Sequence, residues 1–206
     1  MADYPITVPA LWVEAMMSGI KTQIRHPSPR PHKPGDRLWV KEAHALHHAY
    51  GQRRADELRW GPWHGLPMAI APTLDRVCYY RHGFDRADPP RWRPGTSMPR
   101  WASRATLVVT DVRAHRLSEI DERDIIAEGV RVIRMPCDLA DRYALEPMTP
   151  AEVAGGRPAY VMPQIAYAVA WDRIYGRHGT WGRRANPWVV ATTFSYRAHN
   201  IDKVPS

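Results

Sequence analysis

The chain has 206 residues, enough for one domain with a substantial core, and its 44% hydrophobic and 24% charged content is that of an ordinary globular protein. A formal net charge of +8 favours anionic partners, nucleic acid before a membrane surface. No apolar run approaches the roughly 20 residues of a membrane-spanning helix, no basic region followed by an apolar stretch opens the chain, and Cys78 and Cys137 form neither a CxxC pair nor a disulfide framework, so a reducing cytoplasm is the expected compartment.

Val8, Leu11, Trp12, Ala15, Met16 and Ile20 fall at helical spacing, which predicts an amphipathic helix over 8–19 with Pro9 in its first turn and Gly19 as its stop. Lys21 lies just past that end, where the helix dipole favours a cation. The Pro-rich segment 26–35 is a basic loop. Residues 37–42 alternate as a strand, with Trp39 among the outward positions and Glu42 at the far end. Residues 43–97 are expected to be a long insertion, with a strand near 77–81 and tryptophan-rich turns around Trp60, Trp63 and Trp92. The β-branched run 105–113 is a strand. Asp121 caps a helix over 121–128 that Gly129 ends. Residues 131–158 read as a second loop or insertion, in which the pair Gly155-Gly156 would let the segment close over a ligand. A helix over 165–175, a basic loop over 177–184 with Trp181, and a strong strand over 187–196 complete the chain. Several strands with short helices outside them predict an α+β fold in one domain spanning 1–206, built on a small β-barrel.

The turn Gly19-Ile20-Lys21-Thr22-Gln23-Ile24-Arg25, the strand opening Gly35-Asp36-Arg37-Leu38-Trp39-Val40, the strand 105–112 and the helix end Ala127-Glu128-Gly129 come in a particular order and spacing. In that order they resemble the ASCH superfamily, which has a PUA-like β-barrel, and above all the ASCH proteins of phages and prophages. Segments 98–104, 171–174 and 185–189 are similar to the same subgroup. The resemblance implies binding of RNA or a modified nucleoside. It also implies hydrolysis in one of two forms, amidohydrolase action on an N4-acylated cytidine or cleavage of single-stranded RNA. On this resemblance Lys21 is the base and Glu128 the proton donor, while Ile24 stands where the family's amidohydrolases carry a nucleophilic threonine. Thr22 is the substitute for that nucleophile.

The residue chemistry agrees in part with those roles. A lysine can act as a base if burial or nearby cations lower its pKa. Glu128 lies in the last turn of its helix, where the dipole opposes a negative charge, so it calls for a cationic partner such as Lys21. Arg25 and Arg104 offer forked donor sets for phosphate or carbonyl oxygens, and Trp39 and Trp101 are platforms for a base. Glu42 either anchors Lys41 or Arg104 or, as its resemblance to the family's tryptophan-to-glutamate strand implies, lines the substrate pocket. Basic loops interleaved with Trp60, Trp63, Trp92 and Trp181 suit a single strand better than a duplex, whereas Trp188 reads as core. His44, His47 and His48 lack a cysteine pair or an HExxH pattern, so no metal and no other cofactor is expected. No GxSxG, P-loop or dinucleotide fingerprint occurs. The readings left are recognition of RNA or a nucleoside with hydrolysis, a non-catalytic single-strand-binding module, and a phage accessory or assembly protein.

Overall fold

The computed structural model describes residues 2–27, 32–136, 139–146, 150–176, 180 and 182–203. In chain order its strands and α-helices are β1 (Asp3–Thr7), α1 (Ala10–Met17), β2 (Gln23–His26), β3 (Arg37–Lys41), β4 (His44–His48), α2 (Ala49–Trp60), β5 (Met68–Ile70) and β6 (Arg76–Tyr80). There follow β7 (Thr106–Arg116), α3 (Glu122–Ala127), β8 (Arg131–Ile133), β9 (Arg142–Ala144), α4 (Pro150–Ala154), α5 (Pro163–Tyr175) and β10 (Trp188–Arg197). The fold is α+β, as the sequence predicts, and the described strands form open sheets with no closed barrel among them. The chain divides into two compact units, one of Met1–Glu14, Gly35–Val108 and Tyr196–Ser206, the other of Ala15–Pro34 and Val109–Ser195.

In the first unit β1 runs parallel to β3, pairing Tyr4 with Leu38 and Ile6 with Val40, and β3 pairs antiparallel with the start of β7. Leu38, Val40 and Leu107 alternate inward and are buried. The stretch 43–97 has its own antiparallel sheet in the order β4-β6-β5. Trp60, Trp63, Leu66, Val77 and Tyr79 form a core there, with Trp60 set edge-on to both Tyr79 and Phe84 at 5.3 Å. Trp60 and Trp63 are therefore packing residues, and Trp92 leans on the same cluster. The basic, tryptophan-rich loops expected to suit a single strand thus use the large apolar area of these rings inside. Gly95 is needed where it stands, because a Cβ would lie 2.8 Å from the carbonyl oxygen of Lys41.

In the second unit the strand order is β7-β10-β2, with β2 antiparallel to β10. The segment expected to be a loop over 131–158 contains the β8–β9 hairpin and α4. Elements of three to five residues are too short to show periodicity in a sequence. Gly155-Gly156 is the end of α4: the amides of Gly156 and Arg157 bond the carbonyls of Val153 and Glu152 at 3.0 Å each, and Gly156 takes φ 93°. Leu117, Ile125, Val130, Tyr167, Trp171 and Val189 form this unit's core. Trp188, expected in the core, is 59% exposed: it is the first residue of β10, and the run buried on both faces, 189–192, begins only after it. Arg177–Gly179, Trp181 and Cys137 lie outside the described residues.

Candidate functional site

The polar centre of the second unit is assembled from three chain reversals. The first is the end of α1, where the amides of Gly19 and Lys21 bond the carbonyls of Met16 (3.1 Å) and Ala15 (2.8 Å), with Gly19 at φ 73°. The backbone of Thr22 then binds in two directions: its amide to the carbonyl of Ala127 at 2.8 Å, and its carbonyl to the amide of Phe194 at 2.9 Å. The second is α3, whose N-cap Asp121 accepts a 2.7 Å bond from the amide of Asp124. The third is Gly129, at φ 97°, which stops α3 immediately after Glu128. A Cβ at Gly129 would come within 3.2 Å of the Cβ of Lys21, so glycine permits both the turn and the approach of the lysine.

Lys21 and Glu128 meet. The Lys21 Nζ donates to Glu128 Oε2 at 2.5 Å and to the Glu128 carbonyl oxygen at 2.8 Å. The cation that the dipole argument requires at the end of α3 is thus supplied by the turn after α1. The other carboxylate oxygen of Glu128 accepts from Arg25 Nη1 at 2.9 Å. Arg25 also donates to Gln23 Oε1 at 2.6 Å and to Asp124 Oδ2 at 2.5 Å, and Arg113 reaches Asp124 Oδ1 at 2.6 Å. Lys21, Arg25 and Glu128 have no solvent-accessible surface. Three cations and two carboxylates are interleaved, so each buried charge has opposite-charge neighbours.

Burial exerts the largest effect on Lys21 and pulls its pKa down; Glu128 opposes that shift and Arg25 adds to it. Burial works against the charge of Asp124, but the hydrogen bond from Arg113 and the field of Arg25 outweigh it and hold the carboxyl below its usual range. His26 is drawn down to about 4, by burial first and then by the charges of Lys21 and His32. Its Nδ1 is 3.1 Å from the Tyr175 hydroxyl, and its Nε2 is buried without a hydrogen-bond partner. The Tyr167 hydroxyl is likewise buried, and burial first and then the charge of Glu128 push its pKa up, while Arg25 opposes the shift.

Strand alternation decides which side chains join the centre. Gln23 and Arg25 are on one face of β2, and Ile24 is on the other, opposite Thr192, with both of those residues buried. Ile24 therefore faces away from the side on which Arg25 meets Glu128. Thr22 is exposed. Thr193 is opposite Gln23 and its hydroxyl accepts from the Gln23 amide at 3.1 Å, so it is a hydroxyl on the Arg25 face.

The remaining predicted residues, Trp39, Glu42, Trp101 and Arg104, belong to the first unit. Arg104 Nε and Nη2 grip the two carboxylate oxygens of the buried Glu42 at 2.8 Å each, and the guanidinium lies 4.2 Å from the centre of the Tyr80 ring. Trp39 carries the Lys41 ammonium 5.3 Å from its ring. Trp101, Tyr80 and Arg104 line a cavity of about 460 Å³.

Sequence reasoning missed Asp124, Gln23, Arg113, His26 and Tyr167. The i, i+4 spacing of Asp124 and Glu128 was the one available signal, since it places two carboxylates on one helix face. In the first unit His47 and Tyr79 both contact the buried carboxylate of Asp56, at 3.2 and 2.7 Å. Among the described residues no group of three His, Cys, Asp or Glu side chains is placed to hold a metal ion, and no helix is long and apolar enough to cross a membrane. Comparison with protein-family models, curated proteins and solved structures finds no match to the chain.

Proposed function

We propose that this protein recognises RNA or a modified nucleoside and that Lys21 and Glu128 form its proton-handling pair, in the manner of the PUA-like ASCH domains that its motifs resemble. The observation carrying this reading is the 2.5 Å contact between Lys21 Nζ and Glu128 Oε2, two residues 107 apart in sequence with no accessible surface. Transfer of the shared proton turns the ion pair into a free amine and a carboxylic acid. These are the base and the acid that hydrolysis of an amide needs. Burial and the adjacent Arg25 favour the neutral amine. In the hydrolytic step water adds to the acyl carbon and gives its proton to Lys21. Glu128 protonates the leaving nitrogen, and the C–N bond breaks to give a carboxylic acid and an amine. Water is assigned the attack because Ile24 has no hydroxyl and faces away from Arg25.

The test is an assay of the purified chain on N4-acetylcytidine and on single-stranded RNA, with Lys21→Met and Glu128→Gln alongside. Turnover that each substitution lowers by at least about 100-fold, with the fold intact, supports the pair as general acid and base. Turnover unchanged by Lys21→Met defeats it. A second reading, a binding module without catalysis, is favoured by the same Ile24. It predicts binding to single-stranded RNA with no turnover.

A further inference from the structure

The second unit contains a cavity of about 350 Å³, close to the small end of the range for small-molecule sites. Leu117, Ile120 and the rings of Tyr167 and Trp171 form an apolar, aromatic wall, while the amide side chains of Gln164 and Asn186 supply polar groups. Flat aromatic walls with a few amides suit a planar heterocycle that stacks and hydrogen-bonds along one edge. Tyr167 is common to this cavity and the charged centre: it lines the cavity, and its buried hydroxyl feels the charges of Glu128 and Arg25.

Beside the cavity is a second feature of the same chemistry. Trp188 is 59% exposed and the Arg116 guanidinium lies 4.9 Å from its ring centre. Arg116 Nη1 donates to the carbonyl oxygen of Asn186 at 3.2 Å, which ties this cation-bearing plate to a residue of the cavity wall. Arg183, another lining residue, adds a cation. An exposed tryptophan with arginines beside an aromatic cavity is the arrangement by which single-strand binders hold neighbouring bases and their phosphates.

We propose that this cavity holds the base of a nucleotide, and that Trp188 with Arg116 stacks the adjacent base when the nucleotide is part of a single strand. The proposal deepens the function given above and rests on its choice of a nucleoside or RNA partner. Its ligand chemistry is a planar base carrying a sugar, free or in a strand.

The experiment titrates the full chain with cytidine, cytidine 5′-monophosphate and a short single-stranded RNA, following each by calorimetry. Ala168→Leu fills the cavity from a half-buried lining position on α5, and Trp188→Ala removes the outer plate. Circular dichroism and thermal melting establish that each variant folds, and Gln164→Ala, at an exposed helix position, serves as the second cavity variant. Ala168→Leu is expected to weaken every ligand by about tenfold or more. Trp188→Ala is expected to weaken only the RNA, by roughly 5- to 100-fold. A Trp188→Ala effect confined to RNA identifies a strand as the ligand. No Trp188→Ala effect, with cavity dependence kept, identifies a free nucleotide. Nucleotide or RNA binding that Ala168→Leu and Gln164→Ala leave unchanged overturns the cavity site and spares the functional reading. No binding of any of the three by the unsubstituted chain overturns both.

Discussion

Glu128 is held by two cations at once, and its substitution is the most informative single change in the charged centre. Glu128→Gln leaves Lys21 without its carboxylate partner and Arg25 with one carboxylate fewer, all inside the protein. Breaking a buried pair in this way costs about 3–5 kcal/mol, and urea unfolding at pH 7 should show a loss of that size. Lys21→Met is milder, because Arg25 still neutralises Glu128. His26 supplies a pH dependence. Its folded pKa is about 4 against 6.5 for the free side chain, so the unfolded chain binds the extra proton between those values. The stability that neutral His26 contributes is complete above pH 6.5 and is lost as pH falls toward 4, by about 3 kcal/mol at 1.36 kcal/mol per unit. Unfolding free energies at pH 7 and pH 4.5 should converge in His26→Gln relative to the unsubstituted chain. An equal acid loss in both would assign the effect to other groups. The dipole penalty on Glu128 was readable from the helix boundaries, and so was the need for a cation. That Arg25 is a second partner was not readable, because the pairing follows from β2, a four-residue strand between a turn and a Pro-rich loop.

Among the elements, the two glycines that frame the lysine turn differ in a measurable way. Both have positive φ, but a Cβ at Gly19 meets nothing within 4 Å, whereas one at Gly129 meets the Cβ of Lys21 at 3.2 Å and that of Ala15 at 3.5 Å. Gly19→Ala should cost about 1–2 kcal/mol from backbone strain alone. Gly129→Ala should cost more, and should also displace Lys21 from Glu128. Thermal melts of the two variants check the order. Asp121→Ala removes the α3 cap and should cost about 1 kcal/mol. The long elements, β7, α5 and β10, were legible because ten or more residues display a period. Helix α2 was not, since GQRRADELR offers hardly any apolar stripe and the helix stays on the protein through Trp60 and the buried carboxylate of Asp56. Trp188 was misread for a related reason. Tryptophan in a strand is usually packed, and this one is exposed because it stands at the first position of β10, ahead of the buried run 189–192.

Over the whole molecule, neither compact unit is continuous in the chain. A fragment of residues 109–195 keeps Glu128 and Asp124 but lacks Lys21 and Arg25, so it buries two carboxylates without their principal cations. It should not reach the native state, which far-ultraviolet circular dichroism and amide exchange would report. The net charge of +8 acts on any polyanion the molecule binds. Log affinity for single-stranded RNA should fall linearly with log salt, with a slope of about −0.7 for each phosphate neutralised. A flat salt response would count against RNA as the partner.

The sequence by itself determined the α+β class, the long strands and helices, the cap at Asp121 and the stops at Gly19 and Gly129. These depend on periodicity and on backbone preferences carried by single residues. It also marked Lys21 and Glu128, through a turn motif and a carboxylate at an unfavourable helix end. Tertiary structure alone decided that the two meet without access to solvent, that Arg25, Asp124 and Arg113 complete their neutralisation, and that Trp39, Glu42, Trp101 and Arg104 belong to a different unit. The physical reason is that a charge in a low-dielectric interior is set by whichever side chains surround it in space. Here they come from β2, β7 and α3, and local sequence rules do not specify how such distant segments pair.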